Sequence, residues 1–371
     1  MKIVHLPTYV GMNAWNLSKG ERRLGYQSKV IVTETHIIAG KCYDEALDLP
    51  IGKNIFDVFK FYVNFFVKAI REYDVFHYNF GRSLFSNVRK FTFLRYLEFM
   101  LLKLFKKVVC VTYQGSDARQ TSYCLNHHKI TYFLNEDREK NEENDRNKVR
   151  NIALFDKYAD RIYTTQPDLM PVLPERTKFR PLTKLQIEDF VPFYSDYNKE
   201  LLNIVHAPSK RSVKGTDIVL GAINRLIDEK HPVHLLLVEN TPNSEALEIY
   251  KDADIVIDQV LAGWYGGFAV ECMAMGKPVA VYIRDEDMKY IPKEMFLDLP
   301  FIKITPDTIY EVLKAHIENR ELLKQKAIKS REYVLKWHDS VKIAEGIVGD
   351  YIETLKLKGK SKMRNRSNGQ T

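Results

Sequence analysis

Two stretches of this sequence carry residues suited to holding a phosphate ester. The first is His206-Ala207-Pro208-Ser209-Lys210-Arg211-Ser212-Val213-Lys214-Gly215-Thr216, a polar loop that leaves an apolar run and enters a helix through a Lys-Gly pair. Lys210, Arg211 and Lys214 bring three cations near one strand end, a setting that neutralises a departing diphosphate. The alternative for Lys214 is a solvated loop cation. The second stretch runs from Asp258 through Gly266-Gly267 and Glu271 to Gly276-Lys277-Pro278. Its glycines allow a backbone to approach a ligand closely. The amides and dipole at a helix start near Gly267 suit a diphosphate. Glu271, read as lying in the first turn of that helix, either accepts hydrogen bonds from ribose hydroxyls or compensates the helix dipole.

Together the two stretches resemble the C-terminal domain of retaining family-4 GT-B glycosyltransferases. The family pattern Glu-Ala-Met-Ala-x-Gly-x-Pro-Val is matched by Glu271-Cys272-Met273-Ala274-Met275-Gly276-Lys277-Pro278-Val279, and its Lys-Gly pair by Lys214-Gly215. The likeness covers residues 200 to 285 well and the first domain loosely. It implies that Glu271, the second glutamate of an E-x7-E motif, binds the nucleotide ribose. It implies further that Lys214 binds the diphosphate and that Gly266 belongs to the loop facing the donor. The resemblance also implies attack from the face the diphosphate leaves, with a phosphate oxygen taking the acceptor proton, and no cofactor or metal. Two positions depart from the pattern. Gly263 stands where the first glutamate belongs, leaving Asp258 or the backbone near Trp264-Tyr265 to contact the donor sugar. Ser209 stands where an arginine belongs, leaving Arg211 or Lys210 to supply its charge.

The first half offers acceptor-side candidates. Tyr113-Gln114-Gly115-Ser116-Asp117-Ala118-Arg119 follows an apolar run, with Gln114 where many relatives carry histidine. Asp117 and Arg119 either face a cleft or cap and pair at a helix start. Polar residues after a strand's C-terminal end line the ligand crevice of such sheets. His77 and Asn79 occupy a similar position, with a structural histidine as the alternative for His77. Gly11, Asn13 and Trp15 follow the first strand and match a glycine-rich turn near the diphosphate in relatives.

These residues need strands and helices in alternation to position them. Strands are expected at residues 2–5, 29–33, 75–78, 108–113 and 160–165, with helices at 13–24, 54–73 and 85–105. A second series follows, with strands at 202–206, 233–239, 255–258 and 279–283 and helices at 215–228, 244–251 and 268–275. Residues 135–150 are nearly all polar and read as a surface helix or an insertion. The fold class is α/β, with two Rossmann-like domains facing each other across a cleft, as in GT-B. The N-terminal acceptor domain takes residues 1–190 and the nucleotide-sugar domain 200–335, joined by a hinge at 186–200. A helix over 336–357 crosses back, and 358–371 is a basic tail.

Composition fits this organisation. Hydrophobic residues make up 45% and charged residues 28% of the 371, and the 21 Tyr and 20 Phe argue against disorder. Four scattered cysteines show no metal-ligand spacing and read as free thiols. Neither a signal peptide nor a transmembrane run is expected, which places the protein in the cytoplasm. The net charge of +8 calls for an anionic partner. Lys356, Lys358, Lys360, Lys362, Arg364 and Arg366 make the tail either a contact to an anionic membrane at its inner face or a solvated segment. The helix over residues 85–107 either lies on a bilayer or packs on the sheet with a basic outer face. No motif for nucleic acid is visible. The partners expected are a nucleotide-sugar donor and a glycan or lipid-linked acceptor, and the activity sugar transfer in surface polysaccharide or glycolipid assembly. The alternatives are a nucleotide-sugar epimerase and a non-catalytic GT-B protein that binds a partner.

Overall fold

A computed structural model describes residues 1–33, 41–47, 55–87, 93–135 and 138–367. The first half builds β1 (Lys2–Leu6), α1 (Asn13–Arg23), β2 (Gln27–Val32), β3 (Glu45–Ala46), α2 (Ile55–Glu72), β4 (Val75–Asn79), α3 (Phe93–Leu104), β5 (Val108–Tyr113), α4 (Thr121–His127), α5 (Arg138–Tyr158), β6 (Arg161–Thr164) and β7 (Lys178–Phe179). Its strands form one parallel sheet in the order β3-β2-β1-β4-β5-β6-β7. β1, β4 and β5 are buried along nearly their whole length because helices cover both faces of the sheet. α2, α3 and α5 pack through Tyr62, Phe66, Phe99 and Phe155 on one face.

The second half contains β8 (Leu202–His206), α6 (Arg211–Lys214), α7 (Thr216–Asp228), β9 (Val233–Leu237), α8 (Asn243–Lys251), β10 (Ile255–Ile257), α9 (Gly267–Ala274), β11 (Val279–Val281), α10 (Lys293–Leu297) and β12 (Ile302–Lys303). These strands form a second parallel sheet, β12-β11-β10-β8-β9. α11 (Ile309–Glu318), α12 (Arg320–Trp337) and α13 (Ser340–Ser367) complete the chain. α13 leaves the second domain and lies on the first, where Ile343, Ala344, Ile347, Val348 and Tyr351 pack with Ile3, Leu17 and Val75. Gly20 of α1 makes this approach possible, since a Cβ there would lie 2.5 Å from the Ser340 carbonyl oxygen.

The polar run expected at 135–150 is the body of α5, with residues 136–137 outside the described ones. The single helix expected over 85–105 is a short 3-10 turn at Leu84–Asn87 and then α3, with residues 88–92 outside the described ones. Of the basic tail, residues 368–371 lie outside the described ones. The four cysteines are buried, and no disulfide joins them. Among the described residues no helix is long and apolar enough to cross a membrane.

Candidate functional site

In an open parallel sheet the crevice for a ligand lies beyond the strand ends, where the strand order reverses. In the second sheet that point lies between β8 and β10. The loop after β8 carries Ser209 to Gly215, and the loop after β10 carries Asp258 to Gly266. His206 ends β8 and ties these loops' roots together: its Nδ1–H donates to the Ile257 carbonyl at 2.8 Å, and its Nε2 accepts from the Thr216 hydroxyl at 3.0 Å. Burial lowers its pKa, so it stays neutral there.

The start of α9 sits between two lysine–carboxylate pairs. Lys214 ends α6, where Gly215 turns the chain with φ +72; a Cβ there would fall 2.3 Å from Val260 Cγ2. The Lys214 ammonium binds the Asp258 carboxylate, whose other oxygen accepts the Gly266 N–H at 2.6 Å. On the other side, Lys184 reaches Glu271 at 3.2 Å. Both cations crowd the glycine pair: a Cβ at Gly266 would lie 3.4 Å from Lys214 Nζ, and one at Gly267 2.9 Å from the Lys184 stem. A side chain at Gly267 would thus have to displace the Lys184 stem.

Several expectations change in detail. Glu271 is the fifth residue of α9, beyond its first turn, and is buried against Lys184, so it does not compensate the helix dipole. The three loop cations do not converge. Arg211 turns away to a bidentate pair with Glu239 at 2.8 and 2.6 Å, Lys210 and Ser209 are exposed, and Lys214 alone points to the helix start. Asp258 is fully buried and occupies the gap between Lys214 and Gly266. Gly263 has φ +78, and the Arg284 guanidinium fills the space beside it, 2.7 Å from where a Cβ would be. Arg284 comes from the loop after β11, pairs with Asp287 at 2.9 Å and donates across the domains to the Ile130 carbonyl at 3.1 Å. A cation therefore stands where the resembled family has a glutamate.

The first domain's candidates separate into two groups. Gly11 (φ +65) comes within 3.6 Å of Gln114, measured from an added Cβ, so the loops after β1 and β5 meet. Asp117 shapes the second of these loops by accepting the N–H groups of Gln114 at 3.1 Å and Gly115 at 2.8 Å. Burial pushes its pKa up to about 6. Arg119 forks onto Asp168 at 2.5 and 3.0 Å. Asn13 is buried and accepts the Thr183 N–H at 2.9 Å, which fastens α1 to the interdomain segment. His77 is sealed in the core. Its Nε2 meets the Thr112 hydroxyl at 2.7 Å, its Nδ1 meets the Tyr351 hydroxyl at 2.5 Å, and burial holds its pKa well below the usual histidine value. α13 covers it, which the spacing around β4 gave no means of knowing; a proton-transfer role for His77 has no route to the crevice here.

Lys184 is a site residue that the sequence reading passed over. It lies in residues 179–185, which the sequence reading allowed as a further strand; the strand ends at Phe179, and the fold-back of the chain beyond it onto α9 brings Lys184 to Glu271. A hollow of about 360 Å3 opens beside this pair, lined by Met12, Asn16, Lys184, Phe190, Leu247 and Glu271 from both domains and their connection. That size suits a small-molecule site. A larger hollow of about 490 Å3, between residues 194–198 and α12, contains none of these groups.

No family model matches the sequence, and no curated protein matches it. Solved structures do match in shape. Sucrose-phosphate synthase from Thermosynechococcus elongatus shares 14% identity over 96% of this chain and 100% of its own, with a TM-score of 0.62. HepE of Anabaena, solved in complex with UDP, shares 12% over 94% and 99%, with a TM-score of 0.59. A putative UDP-N-acetylglucosamine 2-epimerase from Listeria monocytogenes shares 13% over 93% and 94%, with a TM-score of 0.52. At such identities the likeness concerns architecture, and it agrees with the two parallel sheets: the chain has the two-domain α/β fold of the GT-B type.

Proposed function

We propose that this protein is a glycosyltransferase that binds a nucleoside-diphosphate sugar at the start of α9. The supporting observation is the pair of lysines, Lys214 and Lys184, set on either side of Gly266-Gly267, with Glu271 beside the hollow that would take the nucleoside. In this reading the diphosphate lies against the α9 amides and draws Lys214 from Asp258. The ribose diol takes the Glu271 carboxylate, which releases Lys184 toward the phosphates. The bond between the anomeric carbon and the β-phosphate oxygen breaks, and its electron pair leaves with the diphosphate. Lys214 and the helix start stabilise that charge. The acceptor hydroxyl bonds to the anomeric carbon and its proton passes to the departing phosphate. Retention and independence from metal come from the family resemblance. The neighbour structures solved with UDP and with UDP-glucose support a nucleotide-sugar donor. We assign the acceptor to a glycan or lipid-linked saccharide of surface polysaccharide or glycolipid assembly.

A second reading has its own observation. Asp258 fills the anion slot and Arg284 fills the space at Gly263, an arrangement that suits a GT-B protein that binds a partner without catalysis. A melting screen with UDP, GDP and ADP sugars tests both. A ligand at a hundred times its Kd stabilises by about 2.7 kcal/mol. Stabilisation by one nucleotide class, with release of free nucleoside diphosphate in the presence of acceptor, supports the transferase. Binding without turnover supports the second reading, and turnover of donor without acceptor points to an epimerase. No response to any nucleotide overturns the assignment.

A further inference from the structure

α3 is apolar on both of its faces. Leu94, Phe99 and Leu102 face the sheet and are buried, as is Glu98, the helix's one acid. The opposite face carries Phe93, Tyr96, Leu97, Met100 and Leu104, followed by Phe105, all exposed; Met100 is 56% and Leu104 71% accessible. At 100° per residue the five helical positions fall within one narrow arc, so they form a continuous stripe. Surface helices normally turn charge outward, and a contiguous apolar stripe marks a contact surface. The sequence reading left open a helix lying on a bilayer and a helix packed on the sheet with a basic outer face. The packing is that of the second, but the outer face is apolar.

Lysines frame one end of this stripe. Lys103 is exposed on the last turn of α3 and Lys106 follows, while the Lys107 ammonium donates to the Tyr73 carbonyl at 2.6 Å. The Lys358 ammonium donates to the Lys107 carbonyl at 2.5 Å and to Asp160 at 2.7 Å, which pins the outgoing part of α13 to this corner. Phe105, Lys106, Leu355, Lys358 and Gly359 line one shallow hollow at that corner. α13 continues to Ser367, and the sequence of that stretch adds Lys360, Lys362, Arg364 and Arg366 with no acid after Glu353.

We propose that this face of the first domain docks on an anionic lipid bilayer, with the α3 stripe in the acyl–headgroup boundary and the lysines against the headgroups. An apolar stripe with a basic border is the composition of a helix lying in a membrane interface. The same border repels a second copy brought up by symmetry, while it complements anionic lipid. Because α3 follows β4, its first turn lies toward the crevice, so docking presents the first domain's crevice loops to a lipid-borne acceptor. The inference does not depend on the donor assignment.

Co-sedimentation with phosphatidylcholine vesicles, with and without phosphatidylglycerol, tests it. The wild-type protein should partition onto the anionic vesicles and leave them as salt is raised. Met100→Glu/Leu104→Glu should lower partitioning about tenfold or more. Lys103→Glu/Lys106→Glu should lower it several-fold on anionic vesicles only. Unchanged melting and nucleotide response show that each variant is folded, and the lysine pair serves if the apolar pair is not. Absence of vesicle binding by the wild type overturns the proposal, as does equal binding by the variants. A wild-type dimer in sedimentation velocity that Met100→Glu/Leu104→Glu dissolves assigns the face to a second copy and also overturns it.

Discussion

Replacing Lys214 with methionine keeps most of the side chain's volume and removes its charge. The ammonium is one of two groups that hold the Asp258 carboxylate, the other being the Gly266 N–H. Asp258 is 0% exposed, so it cannot recover the lost partner from water. Lys214→Met should therefore cost about 3–5 kcal/mol, the range for leaving a buried charge unpaired. For a domain of this size that lowers Tm by on the order of 10 °C. Asp258→Asn leaves an amide that still accepts from Gly266 and an ammonium at the edge of the crevice, so its cost is smaller, about 1–2 kcal/mol. With both changes no charge remains, and the loss should fall short of the sum by at least about 1.5 kcal/mol. Denaturant melts of the four proteins give this cycle. Titrating the same proteins with whichever of UDP, GDP or ADP the wild type binds then separates scaffold from ligand. Asp258→Asn should bind at least as tightly as the wild type, because a negative charge has left the slot. Lys214→Met and the double variant should lose saturable binding. A coupling near zero refutes the pairing argument, and full nucleotide response in Lys214→Met refutes the placement of the diphosphate.

Three further outcomes are expected. Glu271→Gln should weaken nucleoside diphosphate binding about ten- to a hundredfold, the worth of hydrogen bonds to a charged group, without weakening pyrophosphate binding; equal losses for both ligands exclude the ribose contact. Gly263→Ala should cost about 1–3 kcal/mol, since φ is +78 and the new Cβ meets the Arg284 guanidinium, and the same substitution should lower Tm less when made in Arg284→Ala than when made in the wild type. His338 donates from Nδ1 to the Leu182 carbonyl and accepts at Nε2 from the Tyr265 hydroxyl, both at 2.9 Å, and burial pushes its pKa from 6.5 down to about 4. Between those values the unfolded chain binds a proton that the folded chain refuses. Stability therefore falls as pH drops from 6.5 to 4, by up to roughly 3 kcal/mol. His338→Gln should flatten this limb of the Tm–pH curve, and identical limbs in both proteins would remove His338 as its source.

The alternation of strands and helices was legible because local periods report it. β5 and β8 fall at the residues expected for them, and α9 begins at Gly267 and gives way to Gly276, whose φ of +74 ends it. The loops that flank the second crevice were legible for the same reason: Lys214-Gly215 and Gly266-Gly267 stand at strand-to-helix junctions, where backbone amides and cations have a recurrent use. The partner each charged group takes was not. Arg211, Lys210 and Lys214 are close in sequence, yet one takes Glu239 and another Asp258, because helix direction after Lys210 aims them apart. Arg284 and Gly263 meet only because β10 and β11 lie side by side, and Lys184 meets Glu271 only because the connection between the sheets folds back.

The two ends of the molecule make the same division. α3's composition announces a helix with apolar and basic residues, but both faces are apolar enough to be buried, and a period cannot choose between them. The sheet takes Leu94, Phe99 and Leu102, and so turns Met100 and Leu104 to solvent. His77 follows suit, since its place after an apolar run matched a crevice residue until Tyr351 of α13 closed over it. What the sequence determined by itself was the local order of elements and the loops whose residue types suit phosphate, since backbone periodicity and glycine conformation act over a few neighbours. Burial, ion-pair choice and the outward face of α3 were decided by tertiary structure, because each depends on which distant surface arrives first to exclude water.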